Sequence, residues 1–218
     1  MPEPLRLRWS RADSVVTRVL LVLAIAGTGL VGLFGLVWIT PLLPAGDEAI
    51  AANTITVARP DGVPEPRMDA ATSGQDVTVS DTGRMVIEFH DPTTLERFLL
   101  VAPGLLAVVA ALVVMVAVHR MVRSLDRGEP FVTANVRRVF VIALTVVIGS
   151  MVVPMVAAVC ENALRARALE SDEIAFSFVV FGEGGISPAL LFTGFLLAAL
   201  AEVFRRGARL RADVEGLV

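Results

Sequence analysis

The chain has 218 residues, of which 55% are hydrophobic, and a formal net charge of −3. Its mean hydropathy of +0.72 lies above the usual range of soluble globular proteins and excludes that class. A single cysteine, Cys160, excludes an internal disulfide framework.

Four long apolar runs carry the hydrophobic excess. Each holds about 20 residues, the length of helix that crosses the hydrocarbon core of a bilayer. The predicted membrane helices cover residues about 19–38, 98–118, 139–160 and 186–204. We therefore predict a mainly α, integral membrane protein: one four-pass domain over residues 1–218, built as a four-transmembrane-helix bundle. The first run is longer than the apolar stretch of a signal peptide, so we interpret it as a retained helix.

Arginine is distributed unevenly over the segments between these runs. Thirteen of the nineteen arginines lie in the N-terminal segment, the link 119–138 and the tail 205–218, and six lie in the longer loops 41–97 and 161–185. Loops rich in arginine stay in the cytosol. We therefore predict a multi-pass protein of the cell (plasma) membrane whose two termini and link are cytosolic.

The two outer loops contain β-prone segments. In the first loop, residues 77–79 and 85–89 flank a polar connection with Gly83, the pattern of a hairpin. In the second loop, apolar residues alternate over 174–181. A third strand stabilises a hairpin that is marginal in water by itself. We predict a small extracytoplasmic β-sheet, built from the two outer loops, that caps the bundle.

Both cytosolic segments are predicted to be amphipathic. Thr133 is a candidate N-cap, and four apolar residues share one helical face beside Arg137 and Arg138. They are Val132, Val136, Val139 and Phe140. This predicts a short lead-in that lies at the inner interface before helix three enters the bilayer. In the tail, apolar residues recur at spacings of three and four from Val203 to Leu217.

Few residues offer catalytic or metal-binding chemistry. His90 and His119 are predicted on opposite faces of the membrane, so they cannot share a metal. Glu88, His90 and Asp91 lack further ligands at a recognisable spacing. No nucleophile–base motif or redox cysteine pair is present. We expect a protein that is not an enzyme, with no catalytic residue, cofactor or metal.

Glu202, near the inner end of helix four, is the main ionisable candidate within a predicted span. We favour a structural ion pair with Arg205, Arg206 or an arginine of the link over a proton relay. Helix one has Thr28 and Gly32 at the spacing of close helix packing. Whether its neighbour is in the same chain or in a second copy, as in a homo-oligomer, stays open.

Two motifs resemble the signature of DUF2975, a family of bacterial four-helix integral membrane proteins. The first covers Arg127–Arg138 and the second covers Leu200–Arg211. The family's genes often lie beside one for a small helix-turn-helix regulator, so the resemblance implies such a regulator as a cytosolic partner and supplies no activity. The family's acidic, leucine, threonine and valine ending is broken here at Gly216.

These motifs supply the candidate structural or partner-binding residues. They are Arg127, Gly128, Pro130, Phe131, Asn135, Arg137, Arg138, Glu202, Phe204, Arg205, Gly207 and Leu210. We expect a regulatory or sensory scaffold that couples the outer cap to the cytosolic partner. The alternative is a small transporter or export accessory protein that uses the helix bundle. Besides the lipid bilayer, the arginines are expected to attract anionic lipid head groups, and no direct contact with nucleic acid is expected.

Overall fold

The protein is described by a computed structural model that covers residues 11–40, 53–58, 84–89, 92–125, 133–169, 181 and 184–215. Four helices dominate it, each with an apolar span long enough to cross a membrane, as the hydropathy predicts. Two short strands lie between the first two helices. The elements in chain order are α1 (Arg11–Ile39), β1 (Thr54–Ala58), β2 (Arg84–Glu88), α2 (Thr94–Leu125), α3 (Thr133–Leu169) and α4 (Pro188–Glu215).

The helices pack in the order of the chain. Extensive packing joins α1 to α2, α2 to α3 and α3 to α4, and none of comparable extent joins α1 to α4 along these described helices. α2 and α3 run antiparallel, since Ser124 meets Asn135 at one end and Glu96 meets Arg167 at the other. α1 runs antiparallel to α2, because Gly32 faces Val108 and Gly35 faces Val101. α4 runs antiparallel to α3, because Leu190 shares a groove with Ala157 whereas Gly194 faces Val147. We call the end with β1 and β2 the sheet end. The opposite end, where α2 stops and α3 starts, is the linker end.

Every helix extends beyond the apolar run that predicted it. The 37 residues of α3 span about 55 Å, well beyond a hydrocarbon core of about 30 Å. Residues 133–138, predicted as part of a separate lead-in, are the first turns of this same continuous helix. Residues 161–169, assigned to an outer loop, form its last turns. The helix therefore continues past both ends of the predicted run, and alanine, leucine and arginine, which favour helix, are frequent in residues 161–169.

Two helix starts are defined by side chains that satisfy the free amides of the first turn. At α2, the backbone N–H and the hydroxyl of Thr93 donate to Glu96 Oε2 at 2.8 and 2.9 Å, and the amide of Glu96 donates back to Thr93 Oγ1 at 3.4 Å. This is a capping box. At α4, Ser187 Oγ accepts from the amide of Leu190, and Pro188 occupies the first helical position. The chain reaches α4 through Gly184, whose φ of 81° favours glycine.

The sheet differs from the predicted one. β2 overlaps the predicted segment 85–89, but its partner is β1, a segment for which no strand was predicted. The two strands pair antiparallel, with Ile55 opposite Ile87, and we call this β1–β2 pair the hairpin. Residues 77–79 and 174–180 lie outside the described residues, so the predicted contribution of the second loop stays a prediction. Phe181 forms a single bridge with Ile186.

A compact apolar core lies at the sheet end. Leu164 of α3 is 1% exposed and forms one cluster with Ile55 of β1, which is 7% exposed. Ile87 and Phe89 of the hairpin segment pack on this cluster, as do Leu99 and Leu100 of α2. The hairpin therefore sits on the last turns of α3 and the first turns of α2.

Glycine allows close contact between the helices. The Cα of Gly32 faces Val108, where an added Cβ would lie 2.9 Å from Cγ1, and Gly35 faces Val101 and Leu105 in the same way. The neighbour of the glycine face of α1 is therefore α2 of the same chain, at Gly32 and Gly35. A Cβ added at Gly27 or Gly29 would meet no described atom within 4 Å, so these two glycines are not part of this contact.

We expect Gly194→Ala to destabilise the protein by about 1–3 kcal/mol, the usual cost of overpacking. A Cβ there would lie 2.5 Å from Cγ2 of Val147 and 3.2 Å from its backbone nitrogen, so α4 would have to move away from α3. The matched control is Gly207→Ala in the same helix, which meets no atom within 4 Å and should gain about 0.5–1 kcal/mol of helix propensity. Thermal unfolding in detergent, followed by circular dichroism, measures both. Equal losses in the two variants would contradict the packing.

Candidate functional site

A buried polar cluster fixes the linker end. Asn135, in the first turn of α3, is 4% exposed. Its Oδ1 accepts a hydrogen bond from Ser124 Oγ of α2 at 2.8 Å and another from the guanidinium of Arg138 at 2.7 Å. The same Arg138 nitrogen donates to the carbonyl oxygen of Arg120 at 2.9 Å. These bonds lock the end of α2 to the start of α3 and hold the Arg138 side chain in one place.

A groove of about 860 Å³ opens beside this cluster. Its residues recur at helical spacings on one face of each helix: Val113, Val116, Ala117 and Arg120 on α2, and Ala134, Arg137, Arg138 and Val141 on α3. The groove is therefore apolar along its wall and carries three arginines at its mouth.

The structure describes only some of the predicted site residues in the link. Arg127, Gly128, Pro130 and Phe131 lie outside the described residues. Asn135, Arg137 and Arg138 come together at the start of α3, where Asn135 is buried and Arg137 is exposed. The motif that carries the family resemblance thus contributes Asn135 and Arg138 to the buried polar cluster, which we call the polar lock, and Arg137 and Arg138 to the groove.

Glu202 forms its ion pairs within its own helix. Its carboxylate lies 2.7 Å from Arg205 Nε and 3.0 Å from Arg206 Nε, at spacings of three and four residues. The predicted structural pair is thus present with Arg205 and Arg206. No ion pair with a link arginine occurs among the described residues, so this pair does not tie α4 to its neighbours. Phe204 and Gly207 lie on the same stretch of α4, as does the backbone of Leu210.

A second polar cluster, which the sequence reasoning missed, lies at the sheet end around Arg97. This side chain is 8% exposed. Its guanidinium donates to the carbonyl oxygens of Pro92 at 3.1 Å and of Trp38 and Thr40 at 3.4 Å. It also lies 5.1 Å from the centre of the Trp38 ring. Arg97 therefore clamps the end of α1, where a helix favours positive charge, to the start of α2.

Arg167, a second arginine of the sheet end, makes a different contact from Arg97. Arg167, near the end of α3, lies 3.7 Å from Glu96 and is about half exposed. Glu96 in turn caps α2, so this contact links α3 to the start of α2. The sequence signal for the cap was the Thr93–Glu96 spacing, and nothing in the sequence distinguishes the buried Arg97 from the exposed Arg167.

A second groove, of about 620 Å³, lies between α2, α3 and the start of α4. Small side chains such as Ala110, Gly149 and Ala157 line it, with Thr145 and Ser150 as its side-chain hydroxyls on α3. The hydroxyl of Ser150 donates to the carbonyl oxygen of Val147, so it is satisfied within the helix. The groove holds no ionisable side chain among the described residues that line it.

The described part of the chain offers few side chains that could bind a metal or undergo redox chemistry. No group of three histidine, cysteine or carboxylate side chains comes together there. Cys160 is a buried free thiol. His119 lies in α2 near the linker end, whereas His90 and Asp91 lie outside the described residues.

One family matches this chain. The model of the family described as "Protein of unknown function (DUF2975)" covers residues 66–218, so it includes β2, α2, α3 and α4 and leaves out α1 and β1. No curated protein and no solved structure matches the chain. Because the match covers most of the sequence and includes both motifs, the chain belongs to the DUF2975 family.

Proposed function

We propose that this protein is a non-enzymatic scaffold of the plasma membrane that couples a cap outside the cell to a soluble partner in the cytosol. The observation that carries the proposal is the continuity of α3 from one end of the protein to the other. One uninterrupted helix has Leu164 buried beneath the hairpin at the sheet end and Asn135 buried in the polar lock at the linker end. A displacement of the hairpin would act directly on the element that positions the linker end.

The charge distribution supports a cytosolic linker end. Six arginines of α2, α3 and α4 whose side chains the structure describes lie there, and a cytosolic placement of such charge follows the positive-inside rule. They are Arg120, Arg123, Arg137, Arg138, Arg205 and Arg206. At the sheet end, Arg97 is buried against carbonyl groups and adds little charge to the surface. The hairpin would then lie outside the cell, joined there by the second loop as a third strand.

The end of α4 supports a docking role for the tail. Its membrane-length span ends at Gly207, and the helix continues to Glu215. At 1.5 Å per residue this is about 12 Å of helix beyond the span. Such a projection offers a surface to a soluble protein, and the family resemblance implies a small helix-turn-helix regulator as that protein.

Copurification tests this proposal. We expect the full chain, tagged and extracted from its own membranes, to retain a small helix-turn-helix regulator, the partner that the family resemblance implies. Truncation after Arg206 should reduce the recovered regulator to background, because it removes the projecting part of α4. The recovered amount is measured by quantitative mass spectrometry.

The control keeps the length and composition of the tail but scrambles the order of residues 207–218. This variant should also lose the regulator, because docking depends on the order of side chains. Equal recovery from the full chain and both variants would remove the tail from the proposal.

The alternative is a small transporter or export accessory protein, favoured by the groove between α2, α3 and the start of α4. That groove is apolar and holds no ionisable group in its described lining. Glu202 is outside it and is paired with Arg205 and Arg206. An apolar passenger fits such a groove better than an ion does, and a coupling role for Glu202 has no geometric support.

A further inference from the structure

The groove at the linker end joins two kinds of surface that seldom meet in one site. Its wall consists of apolar side chains of α2 and α3 within their membrane-length spans. Its mouth carries the side chains of Arg120, Arg137 and Arg138. A ligand that fills it needs an anionic head and an apolar body.

The mouth is partly preorganised. Arg138 is held by Asn135 and by the carbonyl oxygen of Arg120. Arg120 and Arg137 are exposed, and their guanidinium groups have no hydrogen bond or ion pair with any residue that the structure describes. The start of α3 lies at the same place, since Ala134 lines the groove, and the first amides of a helix attract anions.

We propose that this groove binds one anionic membrane glycerophospholipid. Its phosphate would lie among the three arginines at the start of α3, and an acyl chain would lie along Val113, Val116 and Val141. Arginine suits phosphate because its planar group donates two parallel hydrogen bonds. The apolar wall distinguishes a lipid from free phosphate. With the orientation proposed above, the groove opens to the leaflet that carries most of the anionic lipid.

Lipid titration of the purified full chain in neutral detergent tests this assignment, with bound lipid counted by native mass spectrometry. We expect phosphatidylglycerol to bind more tightly than phosphatidylcholine with the same acyl chains. The double variant Arg120→Gln/Arg137→Gln should weaken phosphatidylglycerol binding about 30-fold, since each arginine near a membrane surface contributes about fivefold. No soluble partner is needed, so this result is independent of the copurification.

The matched control is Arg205→Gln/Arg206→Gln, which removes the same charge from the linker end outside the groove. It should cost less than the fivefold expected for one arginine. An equal loss in both double variants would show general attraction to anionic lipid and overturn the site. Displacement of the lipid by inorganic phosphate would reduce the site to an ion site and overturn the lipid assignment.

A second variant tests the wall without changing charge. Val116→Trp fills the groove beneath the arginines and should weaken phosphatidylglycerol binding while the helical content stays unchanged. Binding as tight as in the unmodified protein would place the acyl chain elsewhere and overturn this part of the proposal.

Discussion

Replacing Arg97 with methionine is expected to lower the free energy of unfolding by about 2–4 kcal/mol. The variant loses hydrogen bonds from a charged donor, each worth about 1.5–3 kcal/mol, and leaves the carbonyl groups of Pro92, Trp38 and Thr40 without that donor. The aliphatic part of the side chain is kept, so the loss reports on the guanidinium. Thermal unfolding in detergent, followed by circular dichroism, should show a midpoint lower by about 2–4 °C per kcal/mol.

Two further variants sharpen this test. Arg97→Lys keeps the charge near the end of α1 but cannot reach carbonyl groups in several directions, so we expect an intermediate loss. Arg167→Met removes an arginine of the same end that is about half exposed, and it should cost less than about 1 kcal/mol. A loss at Arg167 as large as that at Arg97 would contradict the clamp.

Leu164→Ala is expected to cost about 2–5 kcal/mol, the range for truncating a buried leucine. At 1% exposed, Leu164 is the most buried large side chain of the described protein, and the hairpin packs directly on it. Amide hydrogen exchange should accelerate in β1 and β2 more than in α4, because the cavity opens beneath the hairpin. Leu196→Ala, at a position 55% exposed on α4, is the matched control and should leave the hairpin protected.

A double-mutant cycle with Ile55→Ala tests the same core. Because Ile55 and Leu164 belong to one cluster, the two losses should be non-additive by about 0.5–3 kcal/mol. Additive losses would mean that the hairpin is not seated on α3.

The membrane helices were predictable because the bilayer imposes length and hydrophobicity on any segment that crosses it. Their extensions were harder to predict, since solvent outside the bilayer imposes no such rule. Two features of the sequence nevertheless indicate structure outside the apolar runs. Thr93 and Glu96 have the spacing of a capping box. Residues Thr54–Val57 are all β-branched, with polar and apolar side chains in alternation, and such a run favours a strand.

The candidate sites also differ in how far the sequence predicted them. The motif at Asn135, Arg137 and Arg138 was identified from sequence. The structure places Arg137 and Arg138 at one groove and Asn135 in the buried polar cluster beside it. The role of Arg97 was missed because it was counted as one of six loop charges. Its burial depends on where Trp38 and Thr40 end α1, a contact between residues almost sixty positions apart that no local pattern reveals.

The packing of each helix on its predecessor also bears on biosynthesis. When α2 leaves the ribosome, its partner α1 is already present, and the same holds for α3 and α4. Each new helix packs on the helix made just before it and needs no later one for this contact. The contacting helices are therefore consecutive in the chain, and the entropic cost of bringing them together is low. The hairpin is synthesised before α3, and its core is completed when Leu164 of α3 packs against Ile55. The protein can therefore be assembled in the membrane one helix at a time, in the order of its synthesis.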